Sequence, residues 1–98
     1  MAGRKLILSQ KAQNERRSIL AYWKQRNQSN TYSKKLDGLL RKAFAGICKY
    51  PESGQLEKNG DRSKLVAGYR VVYTIHPTEI HVIAIWDPRQ DPSRFDFL

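Results

Sequence analysis

Tyr32, Leu36, Leu39, Leu40, Ala43, Phe44, Ile47 and Cys48 recur at steps of three and four residues, the spacing that gathers side chains on one face of an α-helix. No other stretch of the chain is so regular, and it predicts a helix over residues 30–49. Gly38 and Gly46 each weaken that helix by about 1 kcal/mol. Its aliphatic stripe reads as core packing and not as a cofactor site. Pro51 and Gly54 end it, because the residue before a proline avoids the α region. Upstream, Ala12, Ile19, Leu20 and Trp23 fit one face of another helix over residues 10–26. Ser9 stands before it as an N-cap whose hydroxyl can accept from an orphan N–H of the first turn. Asn27–Asn30 is polar turn material, with Ser29 or Asn30 available to cap the second helix. Two helices joined by so short a link predict an antiparallel hairpin.

The rest of the chain reads as strands. Residues 4–8 hold a short apolar segment, Leu6-Ile7-Leu8, and read as a first strand. Gln55–Asp61 is polar and reads as a loop. Three strands are expected near 62–65, 69–76 and 80–86, with Pro77-Thr78-Glu79 as a three-residue hairpin loop between the last two. Both faces of the final strand are apolar, which suggests a central place in a sheet. Residues 87–98, with Pro88 and Pro92, read as an irregular tail. The expected architecture is a single α+β domain over residues 1–98. In it an N-terminal strand, an antiparallel helical hairpin and a three-stranded antiparallel meander (β-α-α-β-β-β) form one small sheet with the helices on one face.

Composition narrows the function. No apolar run approaches the roughly 20 residues of a membrane span, and Met1–Lys5 has no signal-peptide pattern, so no membrane association is expected. Cys48 is the only cysteine; it excludes an internal disulfide and fits a reducing cytoplasm. No metal or cofactor site is expected. The net charge is +9, and residues 1–50 hold 12 Lys and Arg against 2 acids. Such a field attracts nucleic acid, an acidic protein or an anionic membrane.

The remaining cations gather around one hairpin. Alternation along a strand puts Tyr69, Val71, Tyr73 and Ile75 on a core face and Arg70, Val72, Thr74 and His76 on the other. A three-residue 77–79 loop sets Arg70 opposite Trp86, with Arg89 just past the strand end. A loop of Val66-Ala67-Gly68 pairs Leu65 with Tyr69 and puts Lys64 and Arg62 on the face of Arg70. A two-residue loop would turn Lys64 towards the core, where an unpaired cation is costly. Parity therefore favours a cluster of Arg62, Lys64, Arg70 and Arg89 that would receive an anion, with Trp86 able to stack on a base.

Here the sequence resembles a family. The carriers are Pro51-Glu52-Ser53-Gly54 after a long helix, Arg62-Ser63-Lys64-Leu65, Gly68-Tyr69-Arg70-Val71-Val72-Tyr73 and Ile85-Trp86-Asp87-Pro88-Arg89-Gln90-Asp91-Pro92. In that order they look like the RelE/ParE superfamily, the toxins of type II toxin–antitoxin systems. The resemblance implies a cytoplasmic growth inhibitor neutralised by a cognate acidic antitoxin, as part of a toxin–antitoxin heterotetramer. RelE-like members cleave mRNA in the ribosomal A site without a metal. In their pattern the arginine of the Gly-Tyr-Arg motif falls on Arg70, the arginine after the last strand on Arg89 and the strand lysine on Lys64. The C-terminal tyrosine of that pattern falls on Phe95, which has no hydroxyl. ParE-like members poison DNA gyrase, lack the basic set and usually carry a longer helical hairpin, as this chain does.

Cleavage by 2′-OH attack needs a proton acceptor and cationic stabilisation of the pentavalent phosphate. Arginine serves only the second need, since its pKa exceeds 12. His76 lies roughly 20 Å along the strand from Arg70, and His81 by parity points at the core. Lys64, its pKa lowered by neighbouring cations, is the expected base. The sequence thus suggests ribosome-associated mRNA cleavage, with Arg70, Arg89 and Lys64 catalytic and Arg62 and Trp86 binding. The alternatives are gyrase inhibition through protein contacts and a homologue that has lost activity.

Overall fold

The computed structural model describes residues 4–87. Its order is β1 (Lys5–Leu8), α1 (Gln10–Asn27), α2 (Thr31–Lys49), a 3-10 turn (Pro51–Ser53), β2 (Gln55–Leu56), β3 (Arg62–Val66), β4 (Tyr69–Ile75) and β5 (Glu79–Trp86). The α+β class agrees with the sequence pattern, but the sheet is larger than the expected meander. It has five strands in the order β1-β5-β4-β3-β2, with β1 parallel to β5 and the other pairs antiparallel. The strand that sequence reasoning missed is β2. It spans two residues in the polar 55–61 stretch, too short to show alternation.

Ser9 caps α1 as expected. Its Oγ accepts from the Ala12 amide at 3.0 Å and donates to the Ile83 carbonyl at 3.1 Å. Asn30 occupies the N-cap of α2 without a side-chain bond, and the Ser29 hydroxyl accepts from the Thr31 amide. Trp23 meets Tyr32 edge-on beside the link, and Arg16 meets Asp37 further along, the order that antiparallel helices impose. The core lies between this hairpin and the sheet. Leu36, Leu40, Phe44 and Ile47 of α2 pack against Val71, Tyr73, Ile80, Val82 and Ile85. Burial pushes the thiol of the half-buried Cys48 above its usual pKa, since desolvation disfavours the thiolate.

Both hairpins differ from expectation in their turns. Val66 pairs with Tyr69, so Ala67 and Gly68 alone make the first loop, with φ +52° and +89°. Two positive φ values define the type I′ turn, whose twist suits a two-residue hairpin. In the second, Ile75 pairs with Ile80 and Pro77-Thr78 is the tip. A bulge at Ile83 then restores the expected pairing of Arg70 with Trp86. The inserted residue changes which side of β5 is inward. Ile80, Val82 and Ile85 therefore face the helices, while Val72, Ala84, Ile83 and Trp86 form a second, smaller apolar cluster. The amide of Ile85, beside the bulge, donates to the Glu15 carboxylate of α1 at 2.9 Å.

Candidate functional site

The two-residue loop decides where the cations go. Residues directly opposite in an antiparallel pair share a face, and β3 sets Leu65 opposite Arg70, Lys64 opposite Val71, Ser63 opposite Val72 and Arg62 opposite Tyr73. Arg62 and Lys64 thus stand on the helix side of the sheet and Arg70 on the other. The expected cluster of Arg62, Lys64 and Arg70 is not formed. Arg89, its fourth member, lies outside the described residues, as does Phe95.

Each displaced cation finds a place on the helix side. The Nζ of Lys64 lies against Gly46, 3.8 Å from where a β-carbon there would sit. Gly46 is in the last turn of α2, where the negative end of the helix dipole favours a cation. Arg62 Nη1 donates to the Gly54 carbonyl at 2.9 Å and to the Glu52 carbonyl at 3.3 Å, bracing the chain after the 3-10 turn. Tyr73 completes the brace. Its hydroxyl donates to the Pro51 carbonyl at 2.6 Å and accepts from the Gly54 amide at 3.0 Å. A side chain at Gly54 would collide with that hydroxyl. Burial raises the Tyr73 pKa, and the Gly54 hydrogen bond and Arg62 charge offset part of the rise.

Arg70 sits in a different setting. Its Nη1 donates to Ser63 Oγ at 2.8 Å and lies 3.6 Å from Glu57 Oε2, and the Ser63 hydroxyl donates to the same carboxylate. Ser63 and Glu57 are buried, and a quarter of the Arg70 side chain remains exposed. Glu57 is delivered by the tight turn after β2, where the Glu57 amide donates to the Asp61 carbonyl and the Gly60 amide to the Glu57 carbonyl. Neither Glu57 nor Ser63 was expected at this site. A three-residue loop would have turned Ser63 inward; the signal that could have found it is the preference of hairpins for two-residue loops ending in glycine.

On either side of Arg70 along the row stand Leu65, 59 % exposed, and Trp86, half-buried. A positioned arginine and a tryptophan are residue types enriched at protein-contact hot spots, and Leu65 adds exposed apolar surface beside them. The histidines lie at the opposite end of β4. His81 pairs with Thr74 and is half-exposed, not turned to the core, because the shorter 77–78 tip changes its parity. Its ring stacks on His76 at 4.3 Å, and its Nε2 is 2.9 Å from Glu79. That hydrogen bond holds the Glu79 carboxyl below its usual range. Among the described residues no group of three or more His, Cys, Asp or Glu could hold a metal ion, and no helix is long and apolar enough to cross a membrane.

A family model described as the ParE toxin of the type II toxin–antitoxin system, parDE, matches residues 6–92. No curated protein matches the sequence.

Proposed function

Because this chain belongs to the ParE family of type II toxins, we propose that it arrests growth as a non-catalytic inhibitor of DNA gyrase. It acts through protein contacts made by the row Leu65, Arg70 and Trp86. Membership of the family makes an antitoxin its partner. The excess of positive charge suits an acidic one, joined in a heterotetramer in the cytoplasm.

One observation carries this reading: Arg70 is held by Ser63 and Glu57, while Lys64 stands on the other side of the sheet. Ribosome-associated mRNA cleavage, the activity suggested by the sequence, needs a base within hydrogen-bond reach of the proton it takes. Lys64 cannot work beside Arg70 from the helix side. A guanidinium next to a buried carboxylate also has part of its charge compensated before any phosphate arrives. A protein surface needs neither a base nor a free cation. It needs a positioned arginine with apolar neighbours, and this row provides both.

The test uses one preparation of toxin in two assays. Gyrase with plasmid DNA is expected to accumulate stabilised DNA breaks, while programmed ribosomes keep their mRNA intact. Leu65→Glu, on an exposed side chain, is expected to abolish the gyrase effect with little change in stability, and Lys64→Met to leave it. Cut mRNA together with unaffected gyrase would overturn the proposal.

A further inference from the structure

The solvent face of α2 is unlike any other surface of the described residues. Successive helical residues turn by about 100°, so Leu36, Leu40, Phe44 and Ile47 mark the buried side. Opposite them run Lys34, Lys35, Gly38, Arg41, Lys42, Ala45 and Lys49, all exposed. Lys34 and Arg41, Lys35 and Lys42, and Lys42 and Lys49 are seven residues apart, or about 10 Å along the axis. No acid interrupts this face. Asp37 is turned to its edge, where it holds Arg16 and Arg41, and Glu15, the acid of α1, is bonded to the Ile85 amide. Between the cations stand only Gly38 and Ala45, which leave the helix free to approach a flat or concave partner closely. The exposed side of α1 is mixed, with Gln13, Asn14, Ser18, Tyr22 and Gln25 among its cations.

We infer that this face of α2 binds the phosphate backbone of double-stranded DNA without regard to sequence. The alternative of a protein partner fits poorly. Interface cores are depleted in lysine and built on buried anchors, and the large apolar residue beside this face, Leu39, stands at its edge, 39 % exposed. Single-stranded nucleic acid is bound by aromatic platforms as well as charge, and the aromatic ring beside this face, Tyr50, is already covered by Lys49 at 5.5 Å. The major groove of B-form DNA is about 12 Å wide and admits one α-helix. The cations are mostly lysines, point charges suited to phosphate, and the guanidinium of Arg41 is already engaged by Asp37 at 3.0 Å, so no side chain is set to read a base edge bidentately. The inference does not depend on the gyrase reading, since it concerns naked DNA.

The test is fluorescence anisotropy of a labelled 20-base-pair duplex with purified toxin at several salt concentrations. Four phosphate contacts give a log–log salt slope of about −3.6. Replacing Lys34, Lys35, Lys42 and Lys49 with Gln is expected to weaken binding at least about tenfold at low salt and to flatten the slope by about one per lysine. Glutamine keeps nearly the helix propensity of lysine, and circular dichroism checks the fold. The control removes as many charges from α1, through Lys11→Gln, Arg17→Gln, Lys24→Gln and Arg26→Gln, and is expected to change affinity by less than about threefold. Equal losses in both variants would mean diffuse attraction and overturn the inference. So would tighter binding to a single-stranded oligonucleotide, to polyglutamate or to phosphatidylglycerol vesicles with the same lysine dependence.

Discussion

Replacing Arg70 by alanine is the natural experiment on this protein, and the structure says what it would do to the fold first. Truncation removes the Nη1 donor from Ser63 and the positive charge beside the Glu57 carboxylate. Breaking a buried ion pair by deleting one partner costs about 3–5 kcal/mol, because the remaining charge is left uncompensated. Here a quarter of the arginine side chain is in solvent, and the carboxylate keeps the Ser63 hydroxyl. The expected loss is therefore lower, about 2–3 kcal/mol. For a chain of this length that lowers the melting temperature by roughly 10–20 °C. Glu57→Gln keeps an acceptor for Ser63 and should cost about 1 kcal/mol. In the double variant the arginine no longer leaves a buried charge behind, so its loss should fall about 1–2 kcal/mol short of the two single losses combined. Urea unfolding of the four proteins, followed by far-ultraviolet circular dichroism, measures the cycle. An Arg70→Ala protein within about 0.5 kcal/mol of the parent, or strict additivity, would refute the clamp. The cycle also bears on toxicity: growth restored by Arg70→Ala alone would report a weakened fold as readily as a lost contact.

Three further outcomes are expected. Tyr73→Phe leaves the buried Gly54 amide without its acceptor and the Pro51 carbonyl without its donor; it should cost about 2–3 kcal/mol in urea unfolding. Ala67→Asn creates the Asn-Gly pair that a type I′ turn prefers, at a position with φ +52°, and should stabilise the protein by about 0.5–1 kcal/mol in the same assay. Glu79 gives a pH signature. Its carboxyl is held below the usual carboxylate range, first by the His81 hydrogen bond, so the folded state favours the ionised form. Its stabilisation is present above the unfolded pKa and is lost as pH falls through the lower folded value. The stability difference between parent and Glu79→Gln should be seen near neutrality and close below about pH 4.5; a difference that widens on acidification would contradict this.

The helices were legible because each rests on a long apolar period with local punctuation. Ser9 before α1 and Pro51 after α2 are signals that tertiary contacts did not override. Strand β2 was not legible, since its two residues are strand only by pairing with Arg62 and Ser63. The opposition of Arg70 and Trp86 was anticipated with a loop one residue too long. The bulge at Ile83 supplies the missing residue, and the strand just beyond it pairs with β4 while bonding Glu15 of α1, contacts that lie far off in sequence.

The cation cluster failed for a related reason. From the sequence alone, a lysine turned inward is an unpaired charge in an apolar core, which disfavours the shorter loop. That penalty holds for full burial. Lys64 instead reaches the last turn of α2, where Gly46 leaves room and the helix end is electronegative. The cost that decided the register was thus removed by a helix that lies in a different part of the sequence. Once Lys64 turns inward, Ser63 must turn outward, and Arg70 acquires a hydroxyl and a carboxylate where cations had been expected. One residue of loop length therefore separates a phosphate-receiving cluster from a clamped arginine beside Leu65 and Trp86. On that difference rests the choice between cleaving RNA and gripping a protein.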